Sequence, residues 1–314
     1  MPKVSVIIPV YNVEFCISKC AESLFQQTID DIEYLFVNDK STDNSLEVLN
    51  SIVEKYPHRK SQVKIINMDF NSGQAIVRAI GMQNITGEYF IHCDSDDWVD
   101  VRMYETMYNK AKECCCDIVS CDYYISNGTN HNIVYQNISD NGLFDDMLRH
   151  KAHWSLCNKL VKTSILKENK LIYPTGNMGE DMAIMIQLSY YSCREVHINE
   201  AFYYYYTNIN SITKFSSYDS NIKKYDHSSR NVDLVCNFLE EKKLHIKYKD
   251  SIVWLKFTSK WYLAPLVYDS IIYKKWRQAY QEINPLIFSS SIITIANKIG
   301  YLLTYLRIYP FFLK

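Results

Sequence analysis

Short apolar runs alternate with amphipathic segments along the N-terminal third of the chain, and this alternation constrains the fold most. The apolar runs are Val4–Val10, Ile32–Val37, Val63–Met68 and Tyr89–Cys93. Such runs are typical of strands buried on both faces of a parallel sheet. The segments between them carry apolar residues at helical spacing, which predicts helices at 13–27, from 41 onward and at 73–84. The pattern therefore predicts an α/β fold with a mostly parallel central sheet flanked by helices.

A polar cluster follows each of the four predicted strands. The clusters are Tyr11-Asn12, Asn38-Asp39, Asn71-Ser72-Gly73 and Asp94-Ser95-Asp96-Asp97. Because ligands of open α/β sheets bind beyond the carboxyl ends of the strands, we expect these clusters to converge on one crevice.

The last cluster places three carboxylates within four positions, at Asp94, Asp96 and Asp97. Carboxylates at the edge of a core repel one another and are costly to desolvate, so a bound cation often offsets them. Hard ions such as Mg²⁺ and Mn²⁺ prefer oxygen ligands and pair with substrate phosphates. The cluster therefore predicts a site for a divalent metal and a diphosphate. The alternative is a solvated acidic turn that caps the next helix through Asp97 or Asp100.

Composition excludes several classes of protein. The chain has 314 residues and a net charge of -1, which argues against a general nucleic-acid binder. Its ten cysteines include no pair at CxxC spacing, so a structural zinc site is not expected. No signal peptide is predicted before the first strand, and we therefore expect a cytoplasmic protein with reduced thiols.

The middle of the chain mixes predicted strands and helices. Strands are predicted at 117–125 and 196–206, and helices at 154–170 and 181–192. From about residue 216 the pattern becomes helical and more basic.

Motifs spread over about residues 3–213 resemble those of family 2 glycosyltransferases, which are inverting enzymes of the GT-A fold. In order they are Val4-Ser5-Val6-Ile7-Ile8-Pro9-Val10-Tyr11-Asn12, Val37-Asn38-Asp39-Lys40-Ser41-Thr42-Asp43, Asn71-Ser72-Gly73, Arg78, Gly81, Gly87-Glu88-Tyr89, Asp94-Ser95-Asp96-Asp97-Trp98, Trp154, Asn158-Lys159, Gly179-Glu180-Asp181 and Ser211-Ile212-Thr213. Each motif alone is weak, but the ordered set is specific. Similar sequences are common in bacterial capsule and O-antigen assembly.

The resemblance implies a GT-A domain with a helical C-terminal extension. Residues 1–100 would form its nucleotide-sugar-binding half, residues 101–215 its acceptor-binding half, and residues 216–314 the extension. The implied reaction moves a sugar from a nucleotide-diphospho-sugar, expected to be UDP-linked, to a glycan or lipid-diphosphate-linked saccharide. Mn²⁺ or Mg²⁺ would serve as the cofactor.

The resemblance also implies roles for the residues at the strand ends. Asp96 would bind the metal directly, and Asp94 would contact the ribose or the metal. Asp39 would hydrogen-bond the base, unless it serves only as a helix N-cap with Ser41. Pro9 and Tyr11 would shape the base pocket, although Tyr11 is as well explained as a core residue.

Two residues of the helix after the third strand are candidates for donor binding. Arg78 is suited to bidentate phosphate contact and would reach the diphosphate, with a surface salt bridge as the alternative. Gly73 lets the chain turn tightly at the start of that helix, near the donor.

Inversion requires a general base, because a sugar hydroxyl is a poor nucleophile at neutral pH. By resemblance the base is Asp181, the second acid of Gly179-Glu180-Asp181, with Glu180 as the fallback. The alternative is that both acids only favour the dipole at a helix N-terminus. Trp154 and Lys159 are weaker candidates for sugar stacking and phosphate contact, and each has an ordinary structural alternative.

The chain departs from the family pattern at three places. Asn38 stands where the family usually has Asp, and Lys40 where it usually has Gly. An Arg often follows the family's Tyr-rich strand, whereas Tyr206 and Asn208 occupy that region here, which puts one phosphate or acceptor contact in doubt.

The C-terminal segment 292–306 is amphipathic. Its apolar face carries Ile292, Ile295, Ala296, Ile299, Leu302, Leu303 and Leu306. Aromatic and basic residues accompany it, at Trp276, Tyr301, Tyr305, Phe311, Phe312, Lys274, Lys275, Arg277, Lys298, Arg307 and Lys314. This combination suits peripheral contact with the inner face of the cell membrane, and the alternative is a helix packed on the catalytic domain. Lys298 and Arg307 argue against a spanning helix.

Two other functions were weighed. A catalytically inactive sugar-nucleotide binder or scaffold of the same fold would not need both Asp96 and Asp181. A nucleotidyltransferase would want a glycine-rich phosphate loop after the first strand, which Val10-Tyr11-Asn12-Val13 does not supply.

Overall fold

The computed structural model of the protein describes residues 1–136, 138–207 and 217–308. The chain divides into two compact units, Met1–Tyr173 with Ile184–Ile209, and Pro174–Ala183 with Asn210–Lys314. The division of residues 1–215 into a donor half and an acceptor half stays a prediction. The sequence did not indicate that the segment Pro174–Ala183 would group with the C-terminal helices.

The first unit begins with the four strands and three helices that the sequence predicted. They are β1 Val4–Val10, α1 Ile17–Phe25, β2 Ile32–Asn38, α2 Ser45–Lys55, β3 Val63–Asn67, α3 Gln74–Asn84 and β4 Tyr89–His92. The strands lie in the order β3-β2-β1-β4 and all pair in parallel. The predicted parallel sheet is therefore confirmed in this part of the fold, with α1 and α2 starting about one turn later than expected.

Burial of β1 on both faces explains why its sequence is continuously apolar. Val4, Val6, Ile8 and Val10 lie in one hydrophobic cluster, which includes the buried face of α1. Ile7 points to the other face and joins a second cluster with Met82 of α3. A Cβ at Gly81 would come within 2.3 Å of Cγ2 of Ile7, so the absence of a side chain there lets α3 pack directly on β1.

The sheet continues beyond β4 in mixed orientation. The next elements along the chain are β5 Trp98–Val99, α4 Met103–Cys114, β6 Ile118–Ser126, β7 His131–Val134, α5 Leu143–Leu148, β8 Lys159–Lys162, α6 Thr163–Glu168, α7 Glu180–Tyr191 and β9 Glu195–Tyr206. The order runs β4-β8-β6-β9-β5, with β7 paired to β6. β8 is antiparallel to both β4 and β6, whereas β6 and β9 are parallel.

The prediction of one helix over 154–170 was wrong. Lys159–Lys162 forms the strand β8, and only Thr163–Glu168 is helical. The two apolar residues Leu160 and Val161 gain backbone partners on β6 and β4, and this long-range pairing overrides a short pattern that fits either element.

The second unit is helical, as expected for the C-terminal extension. Its helices are α8 Tyr218–Glu241, α9 Lys249–Trp261, α10 Ser270–Gln278 and α11 Ile295–Tyr305. Trp276 and Tyr301 lie in its hydrophobic core, so these two aromatics are not surface anchors as the sequence suggested. Within the described ranges, each helix is too short or too polar to cross a lipid bilayer.

Candidate active site

The carboxyl ends of the four parallel strands meet through side-chain hydrogen bonds, as the sequence predicted. Oδ1 of Asn12, after β1, accepts from the backbone N–H of Thr42 at 2.8 Å. Asp39, after β2, accepts from the loop after β3, and Gln74 of α3 donates to Asp94 after β4 at 3.4 Å. The polar clusters therefore form one connected site at one edge of the sheet.

Asp39 fixes the start of α3. Its Oδ1 accepts from the backbone N–H of Ser72 at 2.7 Å, and its Oδ2 accepts from that of Gly73 at 2.8 Å. Gly73 has a φ of 87°, a left-handed conformation that glycine adopts without strain, which agrees with the tight turn predicted there. The carboxylate thus caps α3 rather than α2. Each oxygen keeps a second lone pair, so the base contact of Asp39 stays a prediction.

Arg78 forms an ion pair with Asp94. Its side chain is 1% exposed, and Nη2 lies 2.8 Å from Oδ1 of Asp94. Nη1 lies 3.3 Å from Nδ1 of the buried His92. The alternative of a surface salt bridge is wrong, because the pair is buried on the arginine side. The predicted diphosphate contact would have to be made by a guanidinium that already holds Asp94.

Asp96 is a carboxyl group with a raised pKa within this site. Burial, and next the charge of Asp94, raise the pKa of Asp96 to about 6, against the smaller opposing effect of Arg78. Burial and the charges of Asp96 and Asp94 raise the pKa of Asp97 in the same direction. A bound cation would relieve this repulsion, because it favours the ionised form of each acid.

Hydrogen bonds of Asp97 join the acidic turn to β9. Tyr203 donates its hydroxyl to Oδ2 of Asp97, and the backbone N–H of Tyr206 donates to Oδ1 at 2.6 Å. The hydroxyl of Tyr203 also accepts from the backbone N–H of Asp94 at 3.1 Å. This arrangement agrees with a buried support for the turn and not with a solvated helix cap.

The tyrosines of β9 are site residues that sequence reasoning missed. Tyr205 is 39% exposed. Tyr205 shares one face of β9 with Tyr203, whose hydroxyl donates to Asp97. Burial and the charges of Asp97, Asp94 and Asp96 raise the pKa of Tyr205 to about 12. The Tyr-rich composition was visible, but only the strand's alternation and its pairing with β5 and β6 reveal that Tyr203 and Tyr205 face the acidic turn.

The acids fit a metal that is shared with a substrate. In the described part of the chain, no three His, Cys, Asp or Glu side chains cluster closely enough to hold a metal. Mg²⁺ and similar ions are often held by one or two carboxylates, with water and substrate phosphates filling the other positions. Asp96 and Asp94 match such a donor set, and the pKa of Asp96 is raised first by burial and next by the neighbouring charge of Asp94.

Asp181 lies in the second unit, in the first turn of α7. Gly179, two residues before Asp181, has a φ of 78°, and the intervening Glu180 is 8% exposed. The loop before it is held by α8, because Nδ2 of Asn231 donates to the carbonyl oxygens of Gly176 and Met178 at 2.7 and 2.9 Å. Asp181 thus stands at the N-terminus of α7, directly after a loop that is held in place, and its role as base stays a prediction.

The remaining predicted residues have mixed outcomes. Pro9 lies near the end of β1, opposite Val37 of β2, and Tyr11 is 45% exposed, which rules out a core role for its ring. Lys159 is 1% exposed and donates to the carbonyl of Ser155 at 2.8 Å, so it is neither a solvated lysine nor an accessible phosphate ligand. Ser211-Ile212-Thr213 and Asn208 lie outside the described residues.

Trp154 has a structural role. Its indole Nε1 donates to the carbonyl of Met147 at 3.1 Å, and its ring packs against the second hydrophobic cluster. The core explanation of this residue therefore accounts for its contacts.

Solved structures share the fold. The S. aureus TarS 1-349 structure in complex with UDP-GlcNAc matches with a TM-score of 0.59 at 19% identity, covering 89% of this chain and 92% of that chain. The mannosyltransferase PcManGT from Pyrobaculum calidifontis, in complex with GDP-Man and Mn2+, matches with a TM-score of 0.52 at 15% identity, covering 97% and 88%. These neighbours confirm the GT-A-like α/β architecture.

Curated proteins that are similar in sequence to this chain are named as glycosyltransferases. A poly(ribitol-phosphate) beta-glucosyltransferase of Bacillus spizizenii is 33% identical over 208 residues, which are 65% of this chain and 32% of that protein. The uncharacterized glycosyltransferase YibD of Escherichia coli is 27% identical over 262 residues, covering 80% and 73%. The chain thus spans about a third of the first relative's length. The family model described as glycosyl transferase family 2 matches residues 5–185, more than half of the chain, and the chain therefore belongs to that family.

Proposed function

We propose that the protein is a metal-dependent inverting glycosyltransferase that moves a sugar from a UDP-sugar to a saccharide acceptor in surface-polysaccharide synthesis. The observation that carries this is the acidic turn after β4. There, Asp96 has a pKa raised to about 6 beside an Asp94 that is fixed by the buried Arg78. An acid held in this state is suited to a cation and a diphosphate.

Each residue would contribute a distinct part of donor binding. Asp39 would accept from the N–H of the base with its free lone pairs, and Pro9 and Tyr11 would line the base pocket. Arg78 would orient Asp94 through the 2.8 Å contact and add positive charge near the diphosphate. The metal, when bound by Asp96 and Asp94, would stabilise the negative charge of the departing nucleoside diphosphate.

Asp181 would complete the reaction by accepting the proton of the acceptor hydroxyl. The hydroxyl oxygen then forms the new bond to the anomeric carbon while the bond to the diphosphate breaks on the opposite side, which inverts that centre. The carboxylate suits this role because it stands at the start of α7, directly after a loop that Asn231 holds by two hydrogen bonds. Fixed geometry of a general base is what such catalysis requires.

A UDP-linked donor is supported by the TarS complex with UDP-GlcNAc, whose fold this chain shares. The first relative is named for a poly(ribitol-phosphate) acceptor, so polymers of the cell surface are a candidate acceptor class beside capsule and O-antigen saccharides. A lipid-diphosphate-linked acceptor would require work at the inner face of the cell membrane.

The test is hydrolysis of a panel of UDP-sugars with Mn²⁺, followed as UDP release. Wild type, Asp96→Ala and Asp181→Asn are compared, and Asp30→Ala, an exposed acid before β2, is the matched control. We expect Asp96→Ala to lose hydrolysis, while Asp181→Asn retains it and loses transfer to an acceptor. Equal hydrolysis rates in all four proteins would end the assignment of these residues.

The same assay separates the second candidate, an inactive sugar-nucleotide binder. Such a protein would bind a UDP-sugar with Mn²⁺ and release no UDP with any donor or acceptor. The presence of both Asp96 and Asp181 favours the enzyme.

A further inference from the structure

Helix α11 is packed with its apolar face outward. The residues that it buries are Gly300, Tyr301 and Thr304. Its large aliphatic side chains form a stripe on the opposite side, at Ile295, Ile299, Leu302 and Leu306, and these are 77%, 54%, 48% and 57% exposed. At 100° per residue the stripe lies about 180° from the buried face. The sequence predicted an amphipathic helix, and the structure shows that its apolar side does not face the core.

Contacts along the helix and at its C-terminal end fix this orientation. Tyr301 is 4% exposed and packs on Trp276, with ring centroids 5.2 Å apart. Thr294 caps the N-terminus by accepting from the backbone N–H of Asn297 at 3.2 Å. After the helix, Arg307 donates to the carbonyls of Val267 and Tyr268 at 3.0 and 2.9 Å. Turning the stripe inward would break the contacts of Tyr301 and Arg307 with the rest of the unit.

More apolar side chains are exposed near the contacts that hold α11 and Arg307. Tyr268 and Ile271 are 60% and 78% exposed, and they flank Ser270, whose hydroxyl accepts from Arg307 at 3.2 Å. Phe288 is 53% exposed and touches the ring of Tyr301 edge-on at 6.0 Å. With the stripe these make seven exposed apolar side chains in the C-terminal helical unit, and a concentration of exposed apolar surface marks an interaction site.

The charge of this region is positive although the chain as a whole is slightly acidic. Residues 270–314 contain six basic residues and a single acid, Glu282. Lys298 lies within α11, Arg307 follows it, and the guanidinium of Arg277 lies 4.1 Å from the ring centre of Tyr305. The cations therefore border the apolar stripe on the same helix and on its neighbour α10.

We propose that the outward stripe of α11 docks on a bilayer that contains anionic lipid, with the helix lying in the plane of the interface. Aliphatic side chains would enter the acyl boundary, while Lys298, Arg307 and Arg277 would meet lipid phosphates. A second copy of the chain is the less suitable occupant. A symmetric contact places the same patch on both sides, which would bring Lys298 and Arg307 of both copies into one interface that has no matching acids on the stripe.

This inference deepens the proposed function, since a lipid-linked acceptor would be reached from such a docked position. The binding itself needs no turnover. The docking test therefore stays informative even if the UDP-sugar assay fails.

The experiment is flotation of the full-length protein with vesicles of phosphatidylcholine containing phosphatidylglycerol, and with vesicles of pure phosphatidylcholine. The double variant Ile299→Gln/Leu302→Gln removes the centre of the stripe. Ile246→Gln, which changes a 79% exposed isoleucine before α9, is the matched control. We expect wild type and Ile246→Gln to float with anionic vesicles, and the double variant to partition at least tenfold less. High salt should reduce binding of the wild type.

A second variant, Ile295→Gln in the first turn of α11, guards against misfolding of the double variant and should bind several-fold less. Circular dichroism and transfer to a water-soluble acceptor should match wild type for every variant. Equal flotation of wild type and both stripe variants would overturn the proposal. So would a dimer in light scattering that the double variant dissolves, since the stripe would then be a contact between copies.

Discussion

Nη2 of Arg78 lies 2.8 Å from Oδ1 of Asp94, and the arginine side chain is 1% exposed while that of Asp94 is 22% exposed. The buried guanidinium of Arg78 thus fixes the carboxylate of Asp94, which is partly accessible to solvent. The other oxygen of Asp94, Oδ2, accepts from Sγ of Cys157 at 3.6 Å, and the charge of Asp94 raises the pKa of Asp96. Arg78 therefore fixes the acid that we propose contacts the ribose or the metal.

Arg78→Ala should therefore destabilise the fold and weaken donor binding. Removing one partner of a buried pair costs about 3–5 kcal/mol, and the partial exposure of Asp94 places the expected loss at about 3 kcal/mol. Urea unfolding measures it. Lys60→Ala breaks the exposed pair with Glu54 and should cost about 0.2–1 kcal/mol. Similar losses in the two variants would contradict the structural role of Arg78.

Metal binding should weaken as the pH falls through about 6. The pKa of Asp96 is raised to about 6 by burial and by Asp94, so its proton competes with the metal below that pH. We expect the apparent Kd for Mn²⁺ in the presence of UDP to rise by up to about tenfold per pH unit below 6. Titration calorimetry at several pH values checks this, and a flat profile between pH 5 and 7 would argue against Asp96 as a ligand.

The same raised pKa predicts the pH dependence of stability without metal. A carboxyl with a higher pKa in the folded state than its usual 3.8 stabilises the fold when protonated. This contribution is complete below about pH 4 and is lost as the pH rises through about 6. Asp96→Asn should therefore have a higher Tm than wild type at pH 7.5 in chelator, and the difference should shrink at pH 4. A lower Tm at pH 7.5 would contradict the direction of the shift.

Lys40→Gly should stabilise the protein. Lys40 has a φ of 61°, a conformation that costs a non-glycine residue about 1–2 kcal/mol, and the family usually has glycine there. Glycine loses about 0.5–1 kcal/mol of this gain through its freer unfolded chain, so the expected gain is about 0.5–1 kcal/mol. Lys40→Ala removes the side chain without relieving the backbone, and an equal gain in that variant would refute the explanation.

Asn231→Ala should slow transfer more than donor hydrolysis. The variant leaves the carbonyls of Gly176 and Met178 without their donor, which should cost about 1–3 kcal/mol and loosen the loop before Asp181. We expect kcat for transfer to fall about tenfold while the KM for the donor is unchanged. Asn237→Ala, an exposed asparagine on the same helix, is the control. Parallel loss of hydrolysis and transfer would indicate a general structural defect.

The N-terminal half of the fold was predictable because its signals are local. Continuous apolar runs identify β1 to β4, and the parallel arrangement brings Asp39, Gly73 and Asp94 together at the strand ends. The strand β8 was not predictable, since its four residues become a strand only through pairing with β4 and β6.

The sequence predicted where residues lie in the fold better than it predicted which side chains they contact. The sequence predicted that Arg78 lies near the donor, but it could not show that the guanidinium forms an ion pair with Asp94. The pattern of α11 was read correctly as amphipathic, yet periodicity does not say which face is buried. The buried side of α11 consists of Gly300, Tyr301 and Thr304, and therefore does not coincide with the aliphatic residues that define the pattern.

The central claim is that Asp96 helps to hold a cation that binds a nucleoside diphosphate. Titration calorimetry of UDP into the full-length protein, with Mn²⁺ or with chelator, tests it most directly. The account predicts that wild type binds UDP much more tightly with Mn²⁺ than in chelator, and that Asp96→Ala loses this difference. Equal affinity in Mn²⁺ and chelator, or an unchanged metal dependence in Asp96→Ala, would contradict it.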